Sequence, residues 1–183
     1  MNDEPPSPGL WATPVAAIDL DVEPVWEAAG LGLQELAEAA IAAVFEEEVL
    51  AQAAGEVEVA LRFTNDATVA ELNATWRGQA KPTDVLSFPA TAADEPAPPP
   101  GVPWLLGDVV LAFETCARDA EALARPLAAH VSHLVVHGLL HLLHHDHQEP
   151  GEAAAMEALE VRILARLGID DPYRDRPLIT ENL

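Results

Sequence analysis

Apolar and acidic residues alternate along "AIDLDVE" (17–23) and again along "EVEVALRF" (56–63). A period of two sends successive side chains to opposite faces of an extended chain, so both stretches predict strands, the first at an edge or half-buried. Between them, "LGLQELAEAAIAAVFEEE" is rich in Ala and Leu at helical spacing and predicts an amphipathic helix. "TNDATVAELNATWRG" opens on capping residues and ends at Gly78, which predicts another. Pro82 bars a helix through "KPTDVLSFP", where "DVLSF" reads as a strand. "ATAADEPAPPPGVPW" predicts a surface loop rather than a domain linker, because strand-like sequence resumes beyond it. "LLGDVVLAFE" has the pattern of a buried strand. Two helices are expected after it, over about 117–144, with Pro126 as a point of fracture, and over 151–167, closing at Gly168.

Helices and strands are mixed and no internal repeat recurs. That order fits α+β or α/β, and the expectation is α+β: a small mixed sheet packed with helices in a single domain over 15–173. An acidic, Pro-rich tail is expected over 1–14 and a C-terminal tail over 174–183.

Composition narrows the classes. Half of the 183 residues are apolar, enough for a sizeable core. No apolar run approaches the ~18 residues of a membrane span, and "MNDEPPSPGL" lacks the features of a secretory signal. The single cysteine, Cys116, excludes an internal disulfide and a Cys-based zinc site, and reads as a small buried residue near a strand end. The expected compartment is the cytoplasm.

A formal net charge of −22 disfavours nucleic acid as a partner. The distribution of that charge reopens the possibility. Residues 1–59 contain no Lys or Arg, whereas residues 60–90 balance Arg62, Arg77 and Lys81 against Asp66, Glu71 and Asp84. A polyanion should therefore bind at this neutral window.

Five of the seven histidines fall within "HGLLHLLHHDH" (137–147). His137 and His141 lie four apart, one turn of helix on one face, the spacing at which two imidazoles chelate one metal ion. His144 continues that face, but seven residues of helix place it roughly 10 Å from His137 along the axis. Zinc–nitrogen bonds are only ~2 Å, so one ion cannot reach both. His147 is the better third ligand if the helix stops near 144 and the chain turns back. The result is H-x3-H-x5-H, the ligand spacing of a zincin-like helix, with one Zn2+ expected per chain. Gly138 stands where a zinc protease has its general-base Glu, and Met156 lies in a helical run, so a protease of that mechanism is excluded. His130 and His133 are expected to pack or hydrogen-bond within the fold. Asp146 reads as a turn residue that could orient a ligand imidazole.

At this point the sequence resembles the YbeY family, the rRNA-maturation endoribonucleases, from about residue 57 to 173. "LNATWRGQAKPTDVLSFP" looks like the family's LN-x-x-[YW]-R…PTDVLSFP signature, and "LGDVVL" is similar to its buried Gly-Asp strand. "HGLLHLLHHDH" resembles HGxLHLxGYDH, and "EAAAMEALEVRILARLGIDDPY" resembles the closing helix. The resemblance implies metal ligation by His137, His141 and His147 and an active-site role for Arg77. It further implies a zinc-dependent hydrolase of single-stranded RNA in 16S rRNA processing and ribosome quality control, with the small ribosomal subunit as partner. His144 and His145 depart from the usual Gly-Tyr, which bears on the tightness of the turn.

The residues agree with that chemistry. Three neutral imidazoles leave zinc one position for water and lower its pKa to ~7. A phosphodiester substrate then calls for a cation, which the planar fork of Arg77 suits. By residue type alone, Arg77 is equally a helix C-terminal residue satisfying carbonyls before Gly78. Lys81 and Ser87 are weaker candidates for RNA contact, and Asp84 is expected to tie down the PTD turn. Trp76 could stack a base, but the reading preferred from sequence is core packing. Two alternatives remain, a metallopeptidase-like hydrolase with its base elsewhere and a non-catalytic ribosome-assembly factor with a structural zinc closed by His144 or His145.

Overall fold

A computed structural model describes residues 16–48, 56–95, 98–99, 102–145 and 150–174. The tail expected over 1–14, nearly all of that expected over 174–183, and Asp146 and His147 lie outside the described residues.

The elements are β1 (Ala16–Val22), α1 (Pro24–Glu27), α2 (Leu33–Glu47), β2 (Val57–Thr64), α3 (Asp66–Arg77), β3 (Val85–Pro89), β4 (Trp104–Ala112), α4 (Phe113–Ala122), α5 (Leu127–Leu142) and α6 (Pro150–Arg166). The domain is α+β, as the order of elements predicted. One mixed sheet has the order β1-β2-β4-β3, with β1, β2 and β4 parallel and β3 antiparallel to β4. β1 is an edge strand, so its alternating Asp19 and Asp21 can face water. The Pro-rich excursion lies between β3 and β4, which pair in one sheet, so it does not separate two domains.

The two faces of the sheet are covered unequally. Val57, Val59, Leu61, Phe63, Val109 and Leu111 point into the main core, which α2 and α5 cover and α6 closes from behind them. On the other face α3 lays Val69 and Leu72 over Leu86, Phe88 and Val110. α3 starts at Asn65, whose side chain accepts from the Thr68 N–H, and ends at Gly78 with φ +67. Asp66 in its first turn accepts from the N–H and hydroxyl of Thr115 in α4, while the Glu114 carboxylate accepts from the Asp66 N–H. This reciprocal capping ties the starts of the two helices together.

Pro126 separates α4 from α5, so the fracture expected there is a complete break. Cys116 is buried at the head of α4, just beyond β4. Burial first, then nearby Asp84 and Asp119, push its thiol far above the usual range. Among the described residues no helix is long and apolar enough to cross a membrane.

Candidate active site

α5 lies between the sheet and α6 and presents His133, His137 and His141, each one turn apart, to a cleft of about 730 Å³. Its seating depends on Gly138. A Cβ there would lie 2.6 Å from Val109 Cγ1 and 3.2 Å from Ser87 Oγ, so only glycine lets the helix meet β3 and β4 this closely. The position that carries the general base in a zinc protease is therefore closed by packing.

The helix ends where the ligand spacing required. His144 has φ +66, its N–H donates to the His141 carbonyl and the His145 N–H donates to the Leu140 carbonyl, each at 3.0 Å. This is a Schellman turn with histidine in the left-handed position that usually takes glycine. The His145 ring is 2.8 Å from the Glu48 carboxylate, and the His144 ring approaches the Thr91 hydroxyl at 3.5 Å.

His137 and His141 meet with their Nε2 atoms 3.1 Å apart. Tetrahedral zinc with bonds of ~2.0–2.1 Å sets two ligand nitrogens about 3.3 Å apart, so the pair fits that ion. Behind His137 stands Glu160 of α6, fully buried. Its carboxylate accepts from His137 Nδ1 at 2.5 Å, from His133 Nε2 at 3.3 Å and from the Tyr173 hydroxyl. Burial alone would raise the Glu160 pKa, but the hydrogen bonds from His133, His137 and Tyr173 outweigh it and hold the carboxyl at about 2. An ionised carboxylate only accepts, so His137 carries a proton on Nδ1, and in the neutral ring this leaves the Nε2 lone pair toward His141. That is the arrangement of a metal-binding imidazole steadied from behind. Among the described residues no group of three side chains is arranged to hold one ion, and His147, the third ligand expected from spacing, is not among them.

The sequence offered Asp146, which lies outside the described residues, as a possible orienting carboxylate and did not single out Glu160. The available signal was an acidic residue on the inner face of α6 among Met156, Leu159 and Ile163, where a charge survives only with partners. His133 joins this network as expected. His130 is buried, and its ring nitrogens find no hydrogen-bond partner among the described residues. Burial, then the charge of His133, lowers its pKa.

Arg77 is exposed and lines the same cleft, as do Asp84 and Ser87. Of its two readings, carbonyl capping loses. The carbonyls of Ala74 and Asn73 are taken by the N–H groups of Gly78 and Gln79, and among the described residues Arg77 makes no hydrogen bond or ion pair. Asp84 accepts from the Val85 N–H and the Thr83 hydroxyl, each at 2.9 Å, and so fixes the turn as expected. Lys81 is exposed but does not line the cleft.

Trp76 corrects the core-packing expectation, because it is 70% exposed. It continues the stripe of Val69 and Asn73, but its turn of helix overhangs β3, the last strand of the sheet. Phe88 of that strand meets it edge to face, with the ring centres 6.0 Å apart.

Comparison with known proteins gives the family. Residues 27–168 match the family model described as Endoribonuclease YbeY. A protein of that name from Paramagnetospirillum magneticum is 58% identical over 123 residues, covering 67% of this chain and 74% of its own. Another from Sinorhizobium medicae is 51% identical over 140 residues, covering 76% and 82%. A Thermotoga maritima protein solved in solution shares the fold with a TM-score of 0.51 at 22% identity, over 88% of this chain and 98% of that one. A chain matched over most of its length, with the paired histidines and the arginine facing one cleft, belongs to the YbeY endoribonuclease family.

Proposed function

We propose that this chain is a zinc-dependent endoribonuclease that cuts single-stranded RNA in the cytoplasm, acting in 16S rRNA maturation and ribosome quality control on the small ribosomal subunit. The observation that carries the reading is the His137–His141 pair at 3.1 Å, opening on a cleft that Arg77 also lines. His137, His141 and His147 would hold the ion. Zinc supplies Lewis acidity and a water of lowered pKa when bound.

The chain's own part is positioning. Glu160 keeps the His137 proton on Nδ1 and so fixes which nitrogen faces the metal position. The Arg77 guanidinium offers two parallel donors to a phosphate in the cleft and stabilises charge as it develops there. Gly138 leaves no side chain for a general base at the position a zinc protease uses, so a peptidase would need its base elsewhere. The His145 ring is engaged by Glu48, which weighs against a zinc closed by that residue.

Three variants test this. Arg77→Ala should keep zinc and fold and lower RNA cleavage by about 10²–10³-fold, the usual cost of losing one transition-state donor. Arg77→Lys should recover only part, since a point charge cannot reproduce a two-pronged contact. His147→Ala should lose tight zinc binding. Undiminished cleavage of single-stranded RNA by zinc-loaded Arg77→Ala would remove the arginine from the mechanism, and digestion of casein in place of RNA would overturn the reading.

A further inference from the structure

The geometry points to a base-stacking subsite on the indole of Trp76, just outside the cleft, which takes one unpaired nucleobase of the RNA strand whose phosphate meets Arg77. The inference rests on the endoribonuclease reading and adds a substrate contact to it.

Scattered exposed apolar side chains are ordinary on protein surfaces. Trp76 differs in kind and in place. Among the described residues the other large exposed hydrophobics are Val102, Leu105 and Leu123, so it alone offers an aromatic face. Its chain neighbour Arg77 lines the cleft. Beneath it, Phe88 points to the face of β3 opposite Ser87 and Pro89, which line the cleft, because side chains alternate along the strand. Trp76 is thus the chain neighbour of the cleft-lining Arg77 and lies over the outer face of β3, the edge strand that walls the cleft. The edge-to-face contact with Phe88 steadies the indole while most of it stays in water.

Charge gives such a subsite a role. A strand binding a chain of net charge −22 gains little from bulk electrostatics. Stacking on an aromatic face does not depend on charge and tolerates any base, so it can supply affinity that the few local cations cannot. It also favours unpaired strands, since a base inside a duplex has no free face. Arg77 and Trp76 would then divide the work, one holding phosphate and the other a base.

The test is binding and cleavage of a labelled single-stranded oligoribonucleotide by the full-length, zinc-loaded protein. Trp76→Ala should weaken binding and raise KM by roughly ten- to a hundredfold, with kcat little changed. Trp76→Phe should recover most of the loss. The loss should persist at high salt, whereas that of Arg77→Ala should shrink as the phosphate contact is screened. One abasic position in the RNA should reproduce the loss in the unsubstituted protein and add nothing to it in Trp76→Ala. Melting temperature and zinc content should be unchanged, since the side chain is mostly exposed.

An unchanged KM for Trp76→Ala, with RNA still cut, would remove the subsite and leave the indole free for a protein contact. A loss that Trp76→Phe does not recover, or that no single abasic position reproduces, would also overturn it. Failure of the unsubstituted protein to bind or cut RNA would instead take down the endoribonuclease reading, and the subsite with it.

Discussion

Glu160 shows how much a site can rest on one residue outside the ligand set. It accepts hydrogen bonds from two histidines and a tyrosine while fully buried, and the histidine it holds at 2.5 Å is one of the pair proposed to hold the ion. Removing such a partner commonly costs 10–100-fold in metal affinity, so Glu160→Gln should weaken zinc binding by about that factor in a chelator competition. Unchanged affinity would reduce Glu160 to a packing role. His144 is the second residue of interest. A side chain in the left-handed region costs roughly 1–2 kcal/mol, and glycine there gives back part of that relief as chain entropy, about 0.4–1 kcal/mol. His144→Gly should therefore keep zinc and be neutral or stabilising by up to about 1 kcal/mol in urea denaturation. Loss of metal in that variant would make His144 a ligand. Cys116, buried and with its thiol pushed up, should resist thiol reagents until the chain unfolds.

At the scale of elements, the decisive contact is α5 against β3 and β4. Gly138→Ala forces a methyl onto Val109 Cγ1 at 2.6 Å, in a strand that cannot move without the sheet. Overpacking of this kind costs about 1–3 kcal/mol. Val109→Ala should relieve part of it, so the double variant should be more stable than the sum of the two single losses implies. Strict additivity in the denaturation midpoints would show that the two do not meet. The elements themselves are largely readable in the sequence. Period-two alternation marks β1 and β2, and Asn65 and Gly78 mark the ends of α3, because these signals are local. Trp76 misleads for the same reason. Its helical stripe says "inward", but only the sheet order shows that the strand beneath it, carrying Phe88, is the last one.

For the whole molecule, charge sets the terms of substrate encounter. With −22 overall and Arg77 the one Lys or Arg among the described residues that lines the cleft, RNA binding should release only about one or two counterions, a log–log salt slope near −1 for a single strand. A slope steeper than about −3 would mean that a larger basic surface engages the strand. Free RNA should accordingly bind far more weakly than RNA presented by a particle that supplies its own contacts, which comparison of naked RNA with small subunits would measure.

The sequence by itself determined most of the elements (the short α1 excepted), the break at Pro126, the reversal at His144 and the pairing of His137 with His141. All of these follow from spacing along a chain whose local geometry is known. Tertiary structure decided the rest. Glu160 lies 23 residues beyond His137, and Arg77 reaches the cleft from a helix on the opposite face of the sheet. No local period encodes such distances. They are set by which surfaces the elements bury against one another, and that is why the orienting carboxylate and the exposed indole became visible only once the chain was folded.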